Sequence, residues 1–186
     1  RREVGEAAKA GIEFHELLDR YFKGELTQEE LYHRAQRPEV AEWLSQFLQS
    51  DPFGWCDAQT EVWFQINRSG KRSVREQSGI VGKIDRIGTF RMEESDVVFV
   101  EDWKTGRPDY VFLEVLVYAY AAMLIYPDRQ KYRFDYVWVK HGLRDTTIFD
   151  ITVPHRVEVT MPDGTKTTLR CRKTFQAGAV FHELMK

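Results

Sequence analysis

Asp102 and Lys104 stand two residues apart in VVFVEDWKTGR, residues 97–107, and carry charge out of a run of aliphatics. Such a run predicts a strand inside a sheet, where an isolated charge is costly to bury. In an extended strand Val98, Val100, Asp102 and Lys104 share one face, and Val97, Phe99, Glu101 and Trp103 take the other. The Thr105-Gly106 turn ends the strand and exposes its charged tip. A carboxylate and an amine on one face there can bind a divalent ion and steady the charge of a phosphate. Glu101 points the other way and is the weaker candidate ligand.

Positioning these groups falls to the elements around them. Residues 79–91, GIVGKIDRIGTFR, read as a strand that forms a hairpin with the first and carries Asp85 beside it. A helix is expected over 6–23, ended by Gly24. Its wheel puts Ala8, Gly11, Ile12, His15, Leu18 and Phe22 on one stripe, and Phe14, Leu17 and Tyr21 on a second. A lone His on such a stripe reads, by itself, as a core histidine. Thr27 and Glu30 form a capping-box signature that opens a helix at 28–36. Pro38 starts another to residue 49, with Val40, Trp43, Leu44, Phe47 and Leu48 as its buried face. Together 27–50 make an acidic helical insert.

Ala58–Ile66 alternates as a strand, with Glu61, Trp63 and Gln65 on one face; Glu61 either supports the ligands or is exposed. NRSGKRSVREQS, residues 67–78, is a basic, polar hairpin loop. After Pro108, Asp109 is expected to cap a helix ended by Pro127. This helix is apolar on almost every side and therefore buried against the sheet. It sets Glu114 and Tyr118 one turn apart. Two hairpins follow, Tyr132–Lys140 with Thr146–Val153, and Arg156–Met161 with Thr165–Lys173 across Pro162-Asp163-Gly164. The stretch 156–186 is thus a C-terminal hairpin plus a final helix from residue 175.

At 186 residues the chain suits one domain, 1–186. It begins Arg1-Arg2 without Met, and the expectation is a piece excised from something longer. The net charge of −2 does not announce a nucleic-acid partner, but its distribution is uneven. Residues 13–57 carry 4 basic and 10 acidic side chains, whereas residues 64–92 carry 7 and 2. Cys56 and Cys171 are too few for a four-cysteine metal site or a disulfide framework, and a reducing intracellular setting fits them. The apolar run 110–126 is interrupted by Glu114 and short for a bilayer crossing, so no membrane association is expected. His15-Glu16 does not continue to a zinc-protease HExxH, because Asp19 occupies the last position. AGIEFHEL (10–17) recurs as AGAVFHEL (177–184), placing His182 like His15, but no second Asp and DxK set accompanies it.

In order, the chain offers Gly11-Ile12-Glu13-Phe14-His15 on the first helix and Gly82-Lys83-Ile84-Asp85 on a strand. Asp102-Trp103-Lys104-Thr105-Gly106 follows on the next strand, and Tyr118 on the next helix. These four motifs in this order resemble the PD-(D/E)XK nuclease superfamily, and specifically its RecB-like exonuclease branch, over roughly residues 10–153. The fourth motif departs from the family, with Glu114 where Gln is usual; this puts in doubt the substrate contact that the Gln makes. The resemblance implies an α/β fold, a mixed central sheet flanked by helices with an αβββαβ core. It implies Asp85, Asp102 and Lys104 as catalytic residues, and His15, Asp85, Asp102 and the Trp103 carbonyl as metal ligands. Mg²⁺ or Mn²⁺ is the implied cofactor, since a carboxylate-held ion supplies hydroxide at neutral pH and neutralises phosphate charge. An imidazole ligand favours Mn²⁺.

The implied activity is sequence-independent hydrolysis of single- or double-stranded DNA in replication, repair or recombination. A helicase or replication protein, in the same chain or separate, is the expected partner. The expected location is intracellular, in cytoplasm or nucleoid or in a virus-infected cell. Tyr118, Arg107, Lys71, Arg72 and Arg75 are the candidate DNA contacts. The runner-up is a catalytically silent member that binds nucleic acid or scaffolds a complex; the intact His15, Asp85, Asp102 and Lys104 set argues against it.

Overall fold

The computed structural model describes residues 5–51, 55–67, 78–92, 95–109, 111–150, 155–160 and 166–171. The basic loop residues Lys71, Arg72 and Arg75, the final helix expected from residue 175 and the His182 repeat lie outside them. Three helices lead, α1 (Glu6–Phe22), α2 (Gln28–Arg34) and α3 (Pro38–Ser50). Strands β1 (Trp55–Asn67), β2 (Ser78–Met92) and β3 (Ser95–Lys104) follow, then α4 (Phe112–Ile125), β4 (Lys131–Trp138) and β5 (Leu143–Asp150). The sheet runs β1-β2-β3-β4-β5, antiparallel except for the β3–β4 pair. Parallel neighbours need a crossover, and α4 is that crossover. A separate two-stranded sheet pairs β6 (His155–Thr160) with β7 (Lys166–Cys171). This is the mixed α/β sheet expected, with helices on both faces. No helix among the described residues is long and apolar enough to cross a membrane.

Two cores sandwich the sheet. Val115, Ala122 and Met123 of α4 pack with Phe64, Ile66, Val98, Val100, Phe134 and Tyr136 on one face. Phe14 and Leu18 of α1 and Val40, Leu44 and Phe47 of α3 pack with Trp103 and Val137 on the other. The capping box is formed, with Thr27 Oγ1 accepting from Glu30 N at 3.2 Å and the Glu30 carboxylate accepting from Thr27 N at 2.8 Å.

Three local expectations are corrected. The buried stripe of α1 is Ala10, Gly11, Phe14, Leu17 and Leu18, and Ile12 is 53% exposed. Phe14 sets this side, because its ring meets Trp43, Phe47 and Trp103 edge-on. Asp109 does not cap α4: the N-cap is Val111, without a side-chain hydrogen bond. The β4–β5 connection is tighter than expected, a single 3-10 turn (Val139–His141) closed by Gly142 at φ 59°. That left-handed conformation suits Gly, and it lets β5 start at Leu143.

The ladder between β2 and β3 stops at Arg86 opposite Glu101. The β3–β4 ladder continues to Lys104 opposite Trp138, and the β1–β2 ladder continues to Asn67 opposite Ser78. The sheet therefore forks beyond Arg86 and Glu101. Gly82 belongs to the β1–β2 arm of this fork, and a Cβ there would sit 2.3 Å from the Phe64 ring. Only Gly lets Phe64 lie across β2 into the core.

Buried charges tie the base of the fork. Glu101 is fully buried and accepts from Arg144 Nη1 at 2.6 Å, while Arg86 Nη1 lies 3.6 Å from its other oxygen. Arg144 also donates to Asp135 at 2.7 Å, and Arg86 to Asp51 at 2.7 Å. Burial pushes the Glu101 carboxyl up against the pull of Arg144 and Arg86. Removing one partner strands buried charge, which typically costs about 3–5 kcal/mol. Glu101→Ala is expected to lose that much in urea unfolding; an unchanged midpoint would dismiss the cluster as a structural tie.

Candidate functional site

Asp85 is the first residue of β2 past the last ladder pair with β3. Its Oδ2 accepts the Trp103 N–H at 2.7 Å, so a side chain takes over where the backbone ladder ends. The Trp103 ring, 2% exposed, is held among Phe14, Phe22 and Phe47 at centroid distances of 5.5–6.4 Å. That packing and the Asp85 bond fix the Trp103 peptide. The Trp103 carbonyl accepts from His15 Nε2 at 2.9 Å, and His15 Nδ1 lies 3.2 Å from Asp85 Oδ1. Burial alone would lower the imidazole pKa, but the hydrogen bond and charge of Asp85 outweigh it, with Glu61 adding, and the net shift is upward.

Helix α1 delivers His15 only because it approaches β3 closely. A Cβ on Gly11 would lie 2.8 Å from Thr105 Oγ1, so the Gly of the first motif fits against the Thr that follows Lys104.

Glu61 belongs with these groups. It sits opposite Asp85, since its neighbours pair as Thr60 with Arg86 and Val62 with Ile84. Like charges directly opposite across two strands repel, and here a third group stands with them. One ligand atom each from His15, Glu61 and Asp85 lie within 4.8 Å of one another. Glu61 adopts φ 55°, a left-handed conformation that costs a non-glycine residue roughly 1–3 kcal/mol. One of its oxygens, Oε2, accepts from Lys83, while Oε1 is buried without a hydrogen-bond partner. Two facing carboxylates, an imidazole and an orphaned oxygen make a donor set that suits a divalent cation.

Asp102 and Lys104 lie on the α4 side of the fork, outside that three-residue cluster. Lys104 Nζ is 2.6 Å from Asp102 Oδ2 and donates to Glu114 Oε1 at 3.0 Å. Glu114 is itself fixed by the Tyr136 hydroxyl, which donates to its other oxygen at 2.7 Å. Burial would lower the Lys104 pKa, but Asp102 and Glu114 reverse the effect and raise it. Burial and the charge of Asp85 push Asp102 up to about 6, against the pull of Lys104. Tyr118 is half-buried between the rings of Phe64 and Phe134. Burial first, then Asp102, Glu114 and Asp85, raise its hydroxyl pKa.

Of the residues singled out from sequence, His15, Asp85 and the Trp103 carbonyl meet directly. Asp102 and Lys104 stand beside them, and Glu101 points away into its arginines. Arg107 is exposed. For Glu61 the sequence leaves the role open: strand parity gives its face, but only the pairing register sets it against Asp85. A cleft of about 490 Å³ opens at the fork, lined by Gly11, Ile12, His15, Glu61, Lys83 and Thr105 among others.

Asp102 sets a pH dependence for the metal-free protein. Its model-peptide pKa is 3.8 and its folded value about 6. Between those values the folded chain keeps a proton that the unfolded chain has released, so stability falls as pH rises through the window. Asp102→Asn is expected to flatten that fall in urea unfolding with chelator present. Parallel curves for the two proteins would refute the assignment.

A family model described as the PD-(D/E)XK nuclease superfamily matches residues 1–142, which include every residue of this cluster. No curated protein matches the chain.

Proposed function

The chain belongs to the PD-(D/E)XK nuclease superfamily, and from that premise we propose a divalent-metal-dependent deoxyribonuclease of the RecB-like type. The reading is of an exonuclease that hydrolyses phosphodiester bonds without regard to sequence. The observation that carries it is the His15, Glu61 and Asp85 cluster beside a lysine held as an ammonium.

Nucleases of this superfamily use divalent metals, and His15, Glu61 and Asp85, with Asp102 and the Trp103 carbonyl near them, are the residues that would hold one. Such an ion supplies Lewis-acid activation of water and neutralisation of phosphate charge. The mixed nitrogen and oxygen donors favour Mn²⁺, with Mg²⁺ the other candidate.

The protein's own groups do the rest. Asp85 fixes both the Trp103 peptide and the His15 ring. Lys104, between Asp102 and Glu114, keeps its proton at neutral pH, so it stabilises negative charge on a phosphate or orients a water rather than accepting a proton. Tyr118 and Tyr136 hold the α4 side of Asp102 and Glu114 in place. Tyr118 therefore acts by positioning Asp102, while Arg107 and the basic loop with Lys71, Arg72 and Arg75 supply sequence-independent backbone contacts. A role in replication, repair or recombination, inside the cell and alongside a helicase or replication protein, fits this chemistry.

Linear single- and double-stranded DNA incubated with Mn²⁺ is expected to be degraded by the wild type. Lys104→Ala is expected to be slower by ~10²–10³. If the wild type is as inert as the variant, the nuclease reading fails. A closed circular substrate left intact while linear DNA disappears supports exonuclease over endonuclease.

A further inference from the structure

Trp63 is 63% exposed. Tryptophan is among the most buried side chains on average, and leaving its indole in water forfeits a large apolar contact. Its strand neighbours Phe64 and Ile66 are in the core under α4, so by strand parity Trp63 faces the side from which α1 approaches. It lies on β1, the edge strand of the forked arm.

Its surroundings point to an occupant. Trp63 is directly opposite Lys83 in the β1–β2 ladder. Lys83 donates to Glu61 of the candidate metal cluster and lines the cleft at the fork. Glu61 is two positions from Trp63 on the same strand, or roughly 7 Å at strand rise. Val81, 47% exposed, pairs with Gln65 diagonally beside Trp63. Ile12, 53% exposed, stands on the α1 wall of the same cleft. An exposed aromatic face and a flanking lysine supply the two halves of single-strand recognition, base stacking and backbone contact. Inside a duplex stacked neighbours cover the π-faces of each base, and a single strand or a frayed end exposes them.

Resting on the nuclease reading, we propose that Trp63, beside Lys83 and Val81, is a stacking site for an unpaired nucleobase of the substrate DNA. The site lies within about one nucleotide of the metal cluster and seats the strand that enters the cleft. The preferred substrate is then a single strand or a frayed end rather than an intact duplex.

Fluorescence anisotropy of a labelled oligothymidylate, with chelator present so that cleavage is suppressed, tests this independently of catalysis. Trp63→Ala and Trp63→Leu are each expected to weaken binding roughly tenfold, the usual loss of one base–aromatic stack. Trp63→Phe should retain most of the affinity, and binding of a blunt duplex should change little in all three. Because the indole is exposed, circular dichroism is expected to show all three variants folded. Under Mn²⁺, Trp63→Ala should raise KM for single strands while leaving kcat near the wild-type value. If Trp63→Ala or Trp63→Leu binds as tightly as the wild type, stacking is overturned, and the nuclease reading stands if the wild type still cleaves. A wild type that neither binds nor cleaves DNA defeats both.

Discussion

The parting of β2 from β3 after Arg86 and Glu101 is the constraint on which the site depends. A sheet that stayed paired to the end of β3 would satisfy the Trp103 N–H with backbone and leave no opening. Here the ladder stops, and Asp85 takes the Trp103 N–H with its carboxylate at 2.7 Å. One side chain thereby holds the two arms in register and presents its other oxygen to His15. Buried polar groups must be paired, so the fork and the carboxylate explain each other. The fork opens at the C-terminal end of β3, where α1 and the β1–β2 arm leave a cleft between them.

What keeps the fork from closing is charge on one side of β3 and packing on both. Glu101 and Asp102 are adjacent, buried, acidic and treated in opposite ways. Glu101 faces Arg86 and Arg144 and is consumed by the structure. Asp102 faces α4, where its neighbours are Lys104 and the repelling carboxylates Asp85 and Glu114, and its pKa rises to about 6. A protein gains no stability from a carboxylate held this way. Asp102 is thus a buried acid whose partner is Lys104 and whose carboxylate neighbours Asp85 and Glu114 push against its ionisation. The Lys104 ammonium is shared between Asp102 and Glu114.

Much of this was legible in the sequence, for reasons that can be named. Alternation in VVFVEDWK separates Asp102 from Glu101 because strand parity is fixed by backbone geometry wherever the strand runs without a bulge. The capping box at Thr27 and the span of β2 are legible because the signals are local, whereas β1 starts at Trp55, three residues before the alternation at Ala58 announces it. The exposure of Ile12 is not legible for the opposite reason: an α1 wheel with two apolar stripes does not say which one α3 and Trp103 cover. The α4 start is not legible because the helix is apolar all round and needs no cap when the core holds it. Glu61 depended on pairing register, which period alone does not set. The two motif glycines were visible as residues, but their reasons, Thr105 against Gly11 and Phe64 against Gly82, exist only in three dimensions.

Those two glycines join the motifs into a single object. Gly11 lets α1 come down on Thr105, which places His15 over the Trp103 carbonyl. Gly82 lets Phe64 cross β2 to meet the Tyr118 ring edge-on at 5.7 Å, and Tyr118 in turn stacks on Phe134. The first motif is thus locked to the third by one missing methyl group, and the second to the fourth by another. A substitution at either glycine touches no charged group, yet it displaces the element that carries one. Four short motifs far apart in the chain therefore behave as one unit, because each holds another's side chain where the chemistry needs it.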